Sequence, residues 1–193
     1  MGQYEFSQRD FDHPSVLFKI EDIMKGFMGE RLIYYPYYRT FNLRGNEKVL
    51  DFGCGGGVGS RSLVRLLNKG GSLTCVDSSA YWINKARQRL QHYANADCIS
   101  GDIRTADVPD GVYDIITTIR VLHDIAPDER GSIVEALVRK LKTGGVLFIS
   151  DRIEPSHGMP VSEIRALLTA AGLEEMEHVA SKLEYRGKFH KTA

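Results

Sequence analysis

A carboxylate followed by a run of glycines carries the strongest chemical signal in the chain: Val49-Leu50-Asp51-Phe52-Gly53-Cys54-Gly55-Gly56-Gly57-Val58-Gly59. Glycines at 53, 55 and 57 let the main chain turn sharply and approach a ligand with no Cβ in the way. A helix starting just beyond would aim its N-terminus at the same place and favour anions there. The spacing excludes two common phosphate loops. A dinucleotide fingerprint needs G-x-G-x-x-G, and here the third glycine would fall on Val58 or Ser60. A P-loop needs Gly-Lys-Ser/Thr, which is absent. A second carboxylate, Asp77, precedes Ser78 and Ser79 and stands 20 residues beyond Gly57. An acid at such a strand end accepts hydrogen bonds from two ribose hydroxyls. A third, Asp102 in Gly101-Asp102-Ile103, can receive an adenine amino group, with the neighbouring backbone N–H facing a ring nitrogen. Taken singly each piece has a plain structural reading: a tight turn, a helix cap at Asp77, ordinary Gly-Asp turn chemistry.

These residues need elements to hold them, and the hydrophobic pattern supplies a regular series. Val49–Phe52 reads as a strand, Ser60–Asn68 as a helix closed by Gly70-Gly71, and Leu73–Val76 as a second strand. Ser78 or Ser79 can cap a helix presenting Ile83, Ala86, Leu90 and Tyr93 on one face. Asp97–Ser100 and Tyr113–Ile119 are the next strands. Pro127 suits the first turn of a helix that carries Ile133, Leu137 and Leu141 and stops at Gly144-Gly145. Val146–Ser150 is a fifth strand, Val161–Ala171 a helix, and Glu174–Ser181 with Leu183–Lys191 a terminal hairpin. Alternating strands and helices imply an α/β fold: a doubly wound, mostly parallel sheet whose ligands bind at the carboxyl ends of the strands. Residues 1–44 differ. Val16, Ile20, Ile23 and Phe27 predict an amphipathic helix over Ser15–Met28, and a second helix spans Glu30–Phe41 with an interruption near Pro36. The expected organisation is an N-terminal helical cap, residues 1–44, on a single folding unit, residues 45–193.

The order and spacing of these motifs resemble the class I S-adenosylmethionine-dependent methyltransferase family, small-molecule type. In that pattern an acid and a G-x-G-x-G run follow strand one, matching Asp51, Gly53, Gly55 and Gly57. The ribose acid matches Asp77, with Ser78 beside it; the fifth residue past it, often on the adenine face, is Trp82; the adenine-edge acid matches Asp102, with Ile103 adjacent. Tyr113-Asp114-Ile115-Ile116-Thr117-Thr118-Ile119-Arg120-Val121-Leu122-His123 resembles the family's fourth-strand motif, which often ends in Leu-His, and places Ile119 at the cofactor. Leu141-Lys142-Thr143-Gly144-Gly145-Val146-Leu147 resembles its approach to strand five. The resemblance covers roughly residues 45–193. It implies S-adenosyl-L-methionine as cofactor, methyl transfer by in-line displacement, and a seven-stranded sheet with its last strand antiparallel.

The acceptor is less legible. The Asn/Asp-Pro-Pro-Tyr/Phe motif of amino-methylating enzymes is absent, since the segment reads Thr118-Ile119-Arg120-Val121, and the Pro-Cys nucleophile of cytosine-C5 enzymes is absent too. With only Asp151 to Pro160 joining strand five to the next helix, no large lid is inserted there. The acceptor pocket is then expected to be walled by residues 1–44, with Tyr34, Tyr35, Tyr37, Tyr38 and Arg39 as an aromatic wall. Packing of those tyrosines on the domain is the competing reading. His123 is the candidate general base, its pKa range suiting proton acceptance near neutrality. Arg120 and His157 are placed on the substrate side, Arg120 alternatively pairing with an acid of the fold.

The totals agree with a globular enzyme. The chain has 193 residues, 42% hydrophobic and 26% charged, with 25 basic and 25 acidic residues, so no bulk field draws it to nucleic acid. The basic stretch Lys182–Ala193 reads as a solvated strand edge. Three widely spaced cysteines without CxxC indicate neither a disulfide set nor a zinc site, and no metal ligands are expected. No apolar run reaches a membrane span, and a reducing cytoplasm fits. A small-molecule acceptor is the leading expectation, with a homodimer open. Rival readings are methylation of protein or RNA, a non-catalytic cofactor-binding module, and a nicotinamide-dependent oxidoreductase, the last disfavoured by the glycine register.

Overall fold

The computed structural model describes residues 10, 11, 13–16 and 25–192. The helix expected over Ser15–Met28 lies mostly outside the described residues. Seven strands share a sheet in the order β3-β2-β1-β4-β5-β7-β6, with ranges β1 Lys48–Phe52, β2 Ser72–Asp77, β3 Ala96–Ser100, β4 Tyr113–Ile119, β5 Leu141–Arg152, β6 Leu173–Ala180 and β7 Glu184–Lys191. The expected seven-stranded α/β sheet is therefore present. By compactness the chain divides into a unit from Asp10–Asp102 and one containing Ile103–Ala193.

In the first unit, β1, β2 and β3 are parallel, with Asp51 opposite Cys75 and Cys75 opposite Cys98. Val49 and Leu50 are fully buried, as in a strand covered on both faces. Helix α2, Val58–Val64, starts directly from the glycine loop. Helix α3, Ala80–Leu90, buries Trp82, Ile83, Ala86 and Leu90, a single stripe at helical spacing. Its cap is Ser79, whose Oγ accepts from the Trp82 N–H at 3.5 Å. The N-terminal part holds a π-type helix, Lys25–Tyr34, running into a short helix α1, Tyr35–Arg39, with Pro36 in its first turn. Glu30, buried, binds Arg61 Nε at 2.8 Å and Arg65 Nη1 at 2.6 Å, tying the π-type helix to α2.

In the second unit, β4 and β5 are parallel and β7 runs antiparallel to both β5 and β6. Helix α4, Pro127–Lys140, has Asp128 and Glu129 in its first turn and Arg139 and Lys140 in its last, charges that suit its dipole. It ends four residues before the expected Gly144-Gly145 stop. Leu141 turns to ψ 136° and begins β5, because its fully buried side chain is already needed in the sheet. Helix α5 spans Val161–Ala170.

The reading of Lys182–Ala193 as a sheet edge is corrected. β7 lies between β5 and β6, and its alternate residues Tyr185 and Phe189 are completely buried. Its cations find partners: Lys191 Nζ bonds the carbonyls of Val138 and Leu141 at 2.8 Å each, and Lys188 meets Glu177 at 3.1 Å. β6 is the exposed outer strand, where Glu174, Glu175 and Glu177 discourage further pairing. Among the described residues no helix is long and apolar enough to cross a membrane.

Candidate cofactor and acceptor sites

Within the Asp10–Asp102 unit, backbone hydrogen bonds lace three loops together at the carboxyl ends of β1, β2 and β3. Gly53 and Cys54 both donate their N–H to the Val76 carbonyl, at 2.8 and 3.2 Å. The Gly55 N–H reaches Asp77 Oδ2 at 2.9 Å, and the Ser79 N–H reaches Asp77 Oδ1 at 3.0 Å. Gly101 donates to the Asp77 carbonyl at 3.0 Å, which holds the following Asp102 at the same end of the sheet. Asp77 thus stands at the centre of the glycine loop, the α3 cap and the Gly101 turn. From α3, Arg89 bonds the Gly56 carbonyl and fixes the far side of the loop. Asp77 and Asp102 are half-buried, Ser78 is exposed, and Trp82 and Ile103 are buried. The first unit therefore brings Asp51, the glycines, Asp77, Ser78, Trp82 and Asp102 to one end of its three strands.

The glycines divide by function. Gly55 has φ 51° and nothing within 4 Å of where a Cβ would sit, so its bare face looks into open space. Gly57 has φ 75°, and its Cβ would come 3.1 Å from the Cα and Cβ of Ala86 in α3. Replacing Gly57 by alanine should destabilise the chain by about 2–3 kcal/mol, from left-handed backbone strain plus overpacking. Gly55→Ala should cost only ~1–2 kcal/mol. Urea unfolding of the two variants checks the contrast, and equal losses would contradict it.

Asp51 lies beneath this loop, 4% exposed. Burial pushes its carboxyl up to about 7; the Ser60 hydroxyl, donating at 2.6 Å, opposes that rise and the charge of Asp77 adds to it. The tyrosine wall is only partly as expected. Tyr35 is exposed, Tyr34 half-buried and Tyr38 1% exposed. Tyr38 is an interior residue: its ring meets Phe41 edge-on at 5.3 Å, and a Cβ on Gly59 would lie 2.8 Å from its hydroxyl oxygen. Its pKa is raised well above the usual phenol value by burial and then by the charge of Asp51. Packing, rather than an open wall, is the role this position fits.

In the Ile103–Ala193 unit a second polar group forms where β4 and β5 end. His123 is buried in the single turn Leu122–Asp124, and its Nδ1 bonds the carboxylate of fully buried Asp151, at the end of β5. Asp151 also accepts from the Leu122 N–H at 2.9 Å and the Arg152 N–H at 2.8 Å. Buried Arg130 braces the turn through the carbonyls of Ile125 at 3.0 Å and His123 at 3.3 Å, and pairs with Glu163 at 2.6 Å. His157 stands with its ring perpendicular to that of His123, centroids 5.0 Å apart. Arg120, adjacent to Ile119, holds a left-handed φ of 58° and lies 3.4 Å from Glu184. The alternative of pairing with an acid of the fold is the one the geometry favours for Arg120. The sequence reading missed Asp151 and Arg130. An acid directly after the Val146–Ser150 strand was the available signal for the first; nothing local signals the second.

The comparisons follow the same residues. The family described as a methyltransferase domain matches residues 49–145, half of the chain. A ubiquinone biosynthesis O-methyltransferase from Erwinia tasmaniensis is 37% identical over 106 residues, covering 54% of this chain and 42% of the relative. A carboxy-S-adenosyl-L-methionine synthase from Shewanella loihica is 29% identical over 112 residues, covering 56% of this chain and 45% of the relative. The chain thus spans less than half the length of either curated relative. A crystal structure of an S-adenosylmethionine-dependent methyltransferase from Aquifex aeolicus superposes with a TM-score of 0.75 at 21% identity, over 89% of this chain and 96% of that one, and shares the fold. A sheet of this order, a bare-backbone loop laced to Asp77, and a family match beginning at Val49 and ending at Gly145 agree: the chain belongs to the class I S-adenosylmethionine-dependent methyltransferase family.

Proposed function

We propose that this chain transfers a methyl group from S-adenosyl-L-methionine to a small-molecule acceptor in the cytoplasm. One observation carries the reading: the Gly53–Gly57 loop, Asp77 and the Gly101–Asp102 turn are hydrogen-bonded into one end of the first unit. Asp77 would take the two ribose hydroxyls, Asp102 the adenine amino group, and Trp82 and Ile103 the adenine ring. Ser78 and Ile119 complete the set carried over from the family pattern. Gly55, open on its Cβ side, would let the main chain approach the methionyl part. The cofactor supplies an activated methyl on sulfur. The protein's part is to hold a nucleophile in line behind it, an orientation worth up to ~7–11 kcal/mol.

The small-molecule class rests on the names of the curated relatives and on the balanced charge of 25 basic against 25 acidic residues. Residues 1–44 would form the substrate-side cap, with Tyr34 and Tyr35 as its aromatic contribution. His123, oriented through Nδ1 by Asp151 and with Nε2 3.4 Å from Asp124, would act on the acceptor through Nε2; His123→Ala with unchanged turnover would remove that role. The decisive experiment is transfer of labelled methyl from the cofactor into a small-molecule extract, followed by mass spectrometry of the labelled product. A single labelled small molecule supports the reading. Label appearing only in protein or RNA, or in nothing despite measured cofactor binding, defeats it.

A further inference from the structure

At the carboxyl ends of β4 and β5, within one compact unit, three metal-ligating side chains meet. One ligand atom from each of His123, Asp124 and His157 lies within 4.8 Å of the others. His123 Nε2 is 3.4 Å from Asp124 Oδ2, and His157 Nε2 is 3.4 Å from Asp124 Oδ1. That separation is long for a hydrogen bond. It matches the edge of a coordination shell, since two ligands ~2.1 Å from a common ion stand about 3.4 Å apart at the tetrahedral angle.

Three further features favour an ion over a hydrogen-bonded histidine cluster. Asp124 Oδ1 is shut off from solvent and accepts no hydrogen bond, a state that ordinarily demands a partner. The Nδ1 contact to Asp151 sets the His123 tautomer, turning the Nε2 lone pair toward Asp124. A carboxylate behind a histidine in this way is the usual support of a metal-bound imidazole. Finally, Asp151 and Arg130 hold the Leu122–Asp124 turn through backbone contacts, so His123 and Asp124 are positioned before any ion arrives.

We propose that His123, Asp124 and His157 bind one divalent first-row transition ion, of the zinc class. Two imidazoles and one carboxylate suit such ions; magnesium and calcium prefer all-oxygen shells. This replaces the expectation that no metal ligands are present, and it makes His123 Nε2 a ligand in the loaded protein in place of a proton acceptor. Three protein ligands leave a coordination position open. The class of acceptor narrows with it, to molecules with an oxygen, nitrogen or sulfur donor able to coordinate; that consequence, unlike the site, rests on the methyl-transfer reading.

The test uses the whole chain, stripped with a chelator and dialysed. Zinc is titrated by calorimetry, and cobalt(II) is followed by its visible absorption. The expected result is one equivalent bound, with a cobalt spectrum of low coordination number. His157→Ala and Asp124→Asn should each weaken zinc affinity at least about 10-fold. His157 lies on the loop after β5, so its replacement should leave the circular dichroism unchanged. No saturable binding, or equal affinity in the chain and both variants, overturns the site. Zinc binding without transfer to any acceptor supports the site and defeats the proposed function. Full transfer by the stripped chain, with zinc binding intact, supports the site and removes the ion from the reaction.

Discussion

Replacing Asp77 by alanine is expected to lower affinity for S-adenosylmethionine and its demethylated product by about 10²-fold or more. The carboxylate would make two charge-assisted hydrogen bonds to the ribose, each worth ~1.5–3 kcal/mol. Part of that gain is offset, because in the free chain the same oxygens already hold the N–H groups of Gly55 at 2.9 Å and Ser79 at 3.0 Å. The lower end of the sum, ~3 kcal/mol, is therefore the realistic loss. Asp77→Asn should fall between, since an amide keeps one acceptor for the loop. Calorimetry with the demethylated product reads the effect directly, and thermal unfolding separates it from loss of structure. Affinity unchanged by Asp77→Ala would remove the ribose role.

Asp51 should impose a second large effect, on stability against pH. Its carboxyl sits at about 7 in the folded chain, raised from 3.8 mainly by burial. The folded state therefore holds the proton more tightly than the unfolded chain does. The associated stability is fully present below about pH 4, declines as pH rises, and is lost once pH passes about 7. A shift of this size corresponds to on the order of 4 kcal/mol across the whole range. Asp51→Asn, with no proton to lose, should flatten the dependence between pH 5 and about 8, measured by urea unfolding at each pH. The Ser60 hydroxyl can still bond the amide oxygen, so the variant should fold. An unaltered slope in the variant would show that another group carries it. A cationic ligand lodged beside Asp51 should pull the proton off, so cofactor binding near neutrality should release protons. Calorimetry in buffers of differing ionisation enthalpy detects that release.

The strand and helix series was legible because most of the elements are covered on at least one face, so apolar runs and Gly/Pro punctuation fall near their ends. Pro127 opened its helix as expected, and the terminal pair of strands formed. The Leu141 boundary was not legible: a residue that continues the helical stripe of Ile133 and Leu137 is equally apolar at the start of a buried strand, and only the sheet decides. The place of β7 escaped for a related reason. Lys188 and Lys191 look like edge residues until α4 and β5 supply carbonyls and β6 supplies Glu177. The grouping of the glycine loop with Asp77 and Asp102, the candidate cofactor side, could be read from the glycine register and two acids, since local backbone bonds from Gly55 and Gly101 to Asp77 bring them together. The His123, Asp124 and His157 cluster could not. A gap of 34 residues between the histidines carries no spacing rule, and the strand order brings them together.

Cys75 and Cys98 stand opposite each other on β2 and β3, and Cys54, in the glycine loop after β1, bonds the Cys75 thiol; all three are unbridged. Cys54 is pushed up to about 11; its bond with Cys75 opposes that rise, which burial drives, while Cys75 is raised first by its bond to Cys54, against the opposing bond to Cys98, and Cys98 first by its bond to Cys75. Held as neutral thiols, they are poor nucleophiles while the strands stay closed. Iodoacetamide should thus label the native chain slowly, first at half-buried Cys54 in the glycine loop, and at Cys75 and Cys98 only on transient separation of the strands. Ligand that knits the glycine loop to Asp77 should slow that labelling further, turning alkylation into a gauge of occupancy that needs no knowledge of the acceptor.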